Sequence, residues 1–445
     1  MLSNFAVALE AQHPSSSASS NTSNYYNLLS GKSEVNYDDL FKEVIDRTKQ
    51  DYVESVTEKK LIESAIEGML SSLDPHSTFL NEKELQEMKI STKGEFGGLG
   101  VEVTMDKGFI KVISPYEDGP AHKAGFKAGD HITMIEGTVV KGMTLSQAVD
   151  KLRGKPKTKV KLTIFREATS DSFETTVTRE IVKIIPVKAK LIANNIAFIK
   201  ITTFSENTSA LVKKEFTKLL EQAREKNVDL GGLILDLRWN PGGLLEQARE
   251  VAELFLEDAV VVTTKGRAPE SNQTYRANFT DISEGLPTVV LINGGSASAS
   301  EIVAGAMQDN RRALIVGTKS FGKGSVQTIM SLPGNTAMKL TTSRYYTPNG
   351  RAIQANGIEP DVVVEEAVLT PLKSNSVMNE SSLLGHLQQE NDGTINSSSG
   401  SKIKNINRLQ NISAALDPKE MQDYQLIRAI DIVKGMALYS ERLAN

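Results

Sequence analysis

The chain has 445 residues, with 51 Lys+Arg against 55 Asp+Glu, five His and no Cys. With 39% hydrophobic and 24% charged residues it carries enough apolar material for sizeable cores, in about three domains by length. A net charge of -4 gives no basic footprint for a nucleic acid, and the lack of Cys removes a thiol nucleophile, a Cys-ligated metal and any disulfide framework. No two His stand in HExxH or HxH spacing, so no metal site built mainly from His is expected, and nothing else in the sequence implies a metal or an organic cofactor.

In chain order, MLSNFAVALE reads as the tail of a truncated secretory signal, with Ala6-Val7-Ala8 as a small-x-small cleavage site, or else as a frayed terminus. Residues 13–24 are too polar to pack and read as a linker, as does a low-complexity segment over 369–405. No run of 18 apolar residues occurs, so no transmembrane helix is expected. Leu40, Phe41, Val44 and Ile45, then Leu61, Ile62, Ala65, Ile66 and Leu70, recur at helical spacing and predict two amphipathic helices. Short alternating runs follow from 96 to 185: Val101–Thr104, Phe109–Ile113, His131–Ile135, Lys159–Phe165 and Thr175–Val182, with one helix at Ser146–Arg153. From 187 to 365 apolar strands alternate with helices: Ile196–Ile201, helix 208–226, Gly232–Leu237, helix 244–256, Val260–Thr264, Thr288–Ile292, helix 299–310 and Ala313–Val316. That alternation predicts α/β layers with a largely parallel sheet. A final amphipathic helix is expected within 416–440.

Four segments could carry chemistry. Asn293–Val303 (NGGSASASEIV) follows an apolar strand and opens a helix, a geometry that presents a nucleophile and free N–H groups to an oxyanion. Ser298 with Glu301 three residues on equally satisfies a capping box, so capping and catalysis both stand on this segment alone. Lys323, flanked by Gly322 and Gly324, leaves a second strand end, and the GxxxxGK[ST] phosphate-loop spacing fails there. A Ser nucleophile needs a base, and residues 187–365 contain no His, which leaves Lys. The lysine must be neutral, so its pKa must fall well below the ordinary range, at a cost on the order of 4 kcal/mol. Burial beside Phe321 and away from carboxylates would supply this, with Gln327 orienting the amine from the same strand face.

Leu233–Gly243 (LILDLRWNPGG) ends in Gly242-Gly243, whose N–H groups suit an oxyanion hole or simply a tight turn; Asp236 and Arg238 read as a buried ion pair. Gly97–Val103 (GGLGVEV) can offer backbone N–H groups to a terminal carboxylate beside a strand edge that accepts an extended peptide.

The ordered motifs LDPHSTFL, FGGLGVEV, GPAHKAGFKAGD, LDLRWNPGGLL, GSASASEIVAGAMQDNRRALIVGTKSFGKGSVQ, YYTPNGRAIQANGIEPDV and DYQLIRAIDIVKG together resemble the carboxy-terminal processing peptidases, or tail-specific proteases, over roughly residues 36–365 and the last helix. The resemblance implies a crotonase/Clp-like α/β peptidase core (186–368) with an embedded β-rich PDZ domain (95–185), an N-terminal helical region (36–94) and a C-terminal one (406–445). It places the nucleophile on Ser298, the general base on Lys323 and the orienting amide on Gln327. It implies an oxyanion hole from the backbone of Gly242, Gly243 and Ala299, and capture of the substrate C-terminus by Gly98, Leu99, Gly100 and Val101. Arg153 matches a position that couples peptide occupancy to activity, and Asp309 a structural acid expected to pair with Arg311 or Arg312. Implied partners are protein or peptide substrates with apolar C-termini and a second copy of the chain, with peripheral association to a bacterial cell envelope and a periplasmic or exported location. The apolar stripes of 36–90 and of the C-terminal helix, lacking an evident internal partner, are the expected oligomer contact. Two readings from other classes compete. A non-catalytic PDZ adaptor has no need of Lys323 and Gln327, and a crotonase-like acyl-CoA enzyme has no use for a PDZ insert.

Overall fold

The structure, a computed structural model, describes residues 35–370, apart from 117, 118, 168, 184, 279 and 369, together with 416 and 420–444. The expected signal remnant and nearly all of the two low-complexity tracts fall outside the described residues. The chain divides into two compact units between Leu73 and Asp74. In the first, α1 (Tyr37–Asp51) and α2 (Glu58–Ser71) are the two predicted helices. Asn36 and Thr57 cap them by accepting the N–H groups of Asp38 and Lys60, which satisfies a free first-turn donor for about 1 kcal/mol each. Leu40, Phe41 and Val44 of α1 stay exposed.

The second unit opens with β1 (Thr78–Leu80) and α3 (Glu82–Lys93). A β-rich part follows: β2 (Glu95–Gly98), β3 (Val101–Asp106), β4 (Phe109–Pro115), the short α4 (Pro120–Lys123), β5 (His131–Ile135), β6 (Thr138–Val139), α5 (Leu145–Leu152), β7 (Lys159–Arg166), β8 (Asp171–Thr178) and β9 (Glu180–Lys183). One sheet runs β3-β4-β5-β7-β8, with β6 on β5, and β2 pairs separately with β9. Leu99, Ile110, Val112, Ile132, Leu162 and Ile164 form its core with Ala148 and Leu152 of α5. The single strand expected over Thr175–Val182 is broken at Arg179, whose backbone turns aside to bond Thr158 and Lys157. The buried Arg179 guanidinium donates to the carbonyls of Lys151 and Leu152, the unpaired C-terminal groups of α5. This fixes α5 against the sheet whose edge strand is β3.

The remaining elements are β10 (Val187–Ile192), β11 (Ile196–Ile201), α6 (Thr208–Glu225), β12 (Gly232–Asp236), α7 (Leu245–Glu253), β13 (Val260–Gly266), β14 (Gln273–Arg276), β15 (Thr288–Ile292), α8 (Ala299–Asp309), β16 (Leu314–Gly317), β17 (Ser325–Leu332), β18 (Thr336–Tyr346), β19 (Val362–Val363) and α9 (Tyr424–Ala444). The main sheet, β10-β11-β12-β15-β16-β19, is parallel except at β10. Its central strands β11, β12 and β15 are buried on both faces, as continuous apolar runs require. Leu233, Leu235, Val290 and Ile292 point toward α6, α7 and α8, whereas Ile234, Val289 and Leu291 point toward α9. Each such side chain contributes roughly 1.5–3 kcal/mol on full burial.

Leu426, Ala429, Ile430 and Val433 of α9 are buried in that second layer. The C-terminal helix therefore has an internal partner, and the expectation that its apolar stripe lacks one is corrected. The sheet gives way to it at Gly232, where a Cβ would stand 2.2 Å from Val433 Cγ1. Val260–Thr264 leaves the parallel sheet for a second, antiparallel one, β1-β18-β13-β14 with β17 on β18. The mixed α/β architecture with an inserted β-rich domain is as expected.

Candidate active site

β15 delivers the chain to three serines, Ser296, Ser298 and Ser300, that span the turn and the start of α8. Ser296 Oγ donates to Leu237 O and Ser300 Oγ to Asn240 O, at 2.8 and 2.9 Å, and both residues are fully buried. Ser298 stands apart, with φ 54° and ψ -111°. A non-glycine residue held there costs on the order of 1–3 kcal/mol, and such strain persists only where the surroundings impose it. The neighbouring loop does so, because a Cβ on Gly242, whose φ is +103°, would lie 2.9 Å from Ser298 Cβ and 3.0 Å from Ala299 N. The two loops are knitted by Asn240, whose carbonyl also accepts Ala297 N–H, and by Asn293 Oδ1, which accepts the N–H groups of Trp239 and Gly295.

Glu301 joins the serine loop to the lysine loop. Its carboxylate is completely buried and takes four donors: Ser298 N–H (2.7 Å) and Lys323 N–H (2.9 Å) on one oxygen, Ser320 Oγ–H (2.6 Å) and Gly322 N–H (2.7 Å) on the other. Burial raises its pKa, against the lowering influence of those four bonds. The sequence offered Glu301 only as the partner of a helix cap. The capping contact to Ser298 N–H is present, but the same carboxylate also receives the loop that carries Lys323.

The Lys323 amine is half-buried and its pKa is lowered, by desolvation first and then by the cationic Lys339, while Glu301 pulls the other way. Two details differ from expectation. Phe321 is 64% exposed, so it does not supply the burial, and the lysine is not remote from a carboxylate. Gln327 is not related to Lys323 by simple alternation, because β17 starts at Ser325 and its register with β18 shifts between Val326 and Gln327.

His76 modifies the elimination of histidine from the core. The pairing of β1 with β18 carries the preceding turn to the peptidase side, and the His76 pKa is lowered by burial and then by the charge of Lys323. Sequence position had placed every His outside 187–365; strand pairing across the chain brings this one within electrostatic reach of the lysine.

Among the expected oxyanion donors, Gly242 N–H is committed to Asn240 Oδ1 at 2.9 Å, an Asx-type turn that stiffens the loop. The N–H groups of Gly243 and Ala299 take no acceptor among the described residues. In the β-rich domain the N–H groups of Leu99 and Gly100 are likewise uncommitted among the described residues, while the Leu99 side chain is buried in the core beneath them. Gly98 and Val101 flank them, paired to β9 and β4. Arg153 stacks over Phe96, 5.0 Å from the ring centroid, and no hydrogen bond or ion pair joins it to the serine or lysine loops.

Asp236 and Arg238 form the expected buried pair, extended by Asp423 and Gln425 from the start of α9. Asp309 pairs with Arg351 at 3.2 Å and accepts Asn349 N–H, while Arg312 is taken by Asp281, so the expected pairing with Arg311 or Arg312 is corrected. Among the described residues no group of three or more His, Cys, Asp or Glu is arranged to hold a metal ion, and no helix is long and apolar enough to cross a membrane.

A strained serine opening a helix on a doubly covered sheet, its loop joined through Glu301 to that of a lysine of lowered pKa, together with an inserted β-rich domain, defines a serine-type peptidase with a PDZ domain. Sequence comparison gives the family. Residues 195–364 match peptidase family S41, 97–177 the PDZ domain, and 6–84 the N-terminal domain of the activating protease CtpB. The chain is 43% identical over 396 residues to the carboxy-terminal-processing protease of Bartonella bacilliformis, covering 89% of this chain and 88% of that protein. It is 34% identical over 335 residues to the carboxy-terminal processing protease CtpB of Bacillus subtilis, covering 74% and 68%. The solved photosystem II D1 C-terminal processing protease is 32% identical, with 75% of this chain and 94% of that one covered and a TM-score of 0.44. The chain belongs to the carboxy-terminal processing proteases of peptidase family S41.

Proposed function

We propose that the chain is an endopeptidase with a Ser298–Lys323 dyad, which captures the apolar C-terminus of a protein substrate in its PDZ domain and processes or degrades proteins of the cell envelope. The observation that carries this reading is the shared carboxylate of Glu301, which binds the backbone N–H groups of both Ser298 and Lys323. As Ser298 Oγ attacks the scissile carbonyl, its proton passes to the neutral Lys323 amine. The Gly243 and Ala299 N–H groups stabilise the oxyanion that forms. The Lys323 ammonium then returns its proton to the leaving amine, giving an acyl-enzyme. Water, deprotonated by the same lysine, releases the acid and regenerates Ser298. The open edge of β3 accepts the substrate tail as an added strand, with its carboxylate on the Leu99 and Gly100 N–H groups between Gly98 and Val101. Arg153, on Phe96, is the residue through which tail binding is relayed. The exposed stripe of α1 is the surface for a second copy, and the location is periplasmic or exported.

The proximity of His76 favours one competing reading, in which His76 is the base. Cleavage of an unfolded protein by Ser298→Ala, Lys323→Ala and His76→Ala decides. Loss in the first two with retention in the third is expected. Parental rates in either of the first two overturn the dyad, and a pH–rate limb in the ordinary histidine range or below assigns the base to His76.

A further inference from the structure

The Asp74-Pro75-His76-Ser77 turn is a motif whose chemistry the dyad does not absorb. It is stapled to β18 at one residue, Thr341. Asp74 Oδ1 accepts Thr341 Oγ1–H at 3.1 Å, and Ser77 Oγ accepts Thr341 N–H at 3.1 Å. Asp74 is itself fixed by the N–H groups of His76 and Ser77 and by Ser77 Oγ–H, at 2.8, 3.0 and 2.6 Å. On the adjacent strand Gln327 stands directly opposite Thr341 in register. Its amide donates to Ser325 Oγ at 2.8 Å and to Thr341 Oγ1 at 3.4 Å. The Thr341 hydroxyl has one proton, so with that proton on the Asp74 carboxylate it can only accept from Gln327. The chain of donors thus runs one way, from Gln327 through Thr341 to Asp74. Both amide protons of Gln327 are spent, and its carbonyl is the free end.

We propose that Asp74 and Thr341 are positioning residues of the peptidase: the one-way chain from Gln327 to Asp74 locks the amide flip of Gln327, so that its carbonyl rather than its NH2 faces the Lys323 amine. The proposal rests on the Ser298–Lys323 reading, with Gln327 as the amide that orients the lysine, and adds to it the source of the amide's orientation. A reversed amide would present N–H to the amine, competing for the lone pair that must take the Ser298 proton. Lys323 is faced from other elements by Glu301 of α8, Lys339 of β18 and His76 of the same turn. None of these charges changes when Thr341 is altered, which makes Thr341 the clean probe.

The test is Thr341→Val, which keeps the β-branched shape and deletes the hydroxyl, measured for kcat, KM and the pH dependence of kcat/KM on a fluorogenic unfolded protein. Misplacing a catalytic group by about 1 Å costs up to roughly a hundredfold, so a kcat lower by about ten- to a hundredfold is expected, with KM unchanged. The rising limb should also move to lower pH, since the ammonium loses an acceptor that stabilised it. Thr341→Ser, which restores a hydroxyl, should restore both. A Thr341→Val enzyme with the parental limb and kcat overturns the proposal, as does one with lower kcat that Thr341→Ser reproduces. If Thr341→Val does not fold, Asp74→Asn is read in the same way: a parental limb and kcat there overturn the proposal. Lys323→Ala and Ser298→Ala run alongside separate the two levels. Inactivity of these with a parental Thr341→Val leaves the dyad and removes the positioning chain, whereas activity of either removes the dyad itself.

Discussion

Glu301→Gln is the substitution that bears most directly on how the site is assembled. The carboxylate accepts four hydrogen bonds, two on each oxygen. A glutamine supplies one oxygen, and its best placement keeps that oxygen on the N–H groups of Ser298 and Lys323. The NH2 then faces Ser320, whose hydroxyl already accepts Ile358 N–H and can accept once more, and Gly322 N–H, which has no such freedom. Gly322 N–H is orphaned, at about 1–3 kcal/mol, the rotatable Ser320 hydroxyl loses its acceptor as well, and the two retained bonds lose their charge assistance at about 1 kcal/mol each. Release of a buried charge returns part of this, leaving a net loss of about 2–4 kcal/mol. The melting temperature should fall by on the order of 5–15 °C for a domain of this size. Removing the negative charge also withdraws the influence that raises the Lys323 pKa. Residual activity should therefore rise with pH earlier than in the parent, under a lower plateau. Differential scanning calorimetry and cleavage of an unfolded protein across pH read both effects. A variant that melts and cleaves as the parent does, with the same pH limb, would refute the view that Glu301 joins the two loops.

In the parent enzyme kcat/KM should rise as Lys323 loses its proton, at a pH below the ordinary lysine range because burial and Lys339 destabilise the ammonium; a limb at or above that range would contradict the lowered value. Gly242→Ala should abolish cleavage while leaving the PDZ domain folded, because its Cβ would stand 2.8 Å from Ala297 O and 2.9 Å from Ser298 Cβ at a φ of +103°; retained turnover of a short peptide would show the loop yields more than packing allows. Arg238→Met leaves Asp423 unpaired and Asp236 with Lys200 alone, a loss of about 3–5 kcal/mol. Chemical denaturation should register it together with faster hydrogen exchange in α9, and an unchanged midpoint would count against the network.

Local signals carried much of this protein. Continuous apolar runs located β11, β12, β15 and β16 of the main sheet within a residue, because a strand buried on both faces leaves little choice of residue type. Ser298 was legible as one of three serines in a glycine-rich turn, but the choice among them lies in partners sixty residues away in the chain, the Leu237 and Asn240 carbonyls that occupy Ser296 and Ser300. The environment of Lys323 was the least legible part. Its sequence neighbour Phe321 points to solvent, while the charges that act on it, Lys339 and Glu301, come from a hairpin strand and a helix, and His76, which feels its charge, from a turn some 250 residues earlier. Sequence proximity is a poor guide to electrostatics for a plain reason. Strand pairing decides which charges meet, and the register of β1 on β18 is fixed by a three-residue strand whose sequence, Thr78-Phe79-Leu80, carries no sign of its partner. An argument by elimination over a stretch of chain, such as the absence of His from 187–365, can therefore miss a histidine that strand pairing brings within electrostatic reach of the lysine.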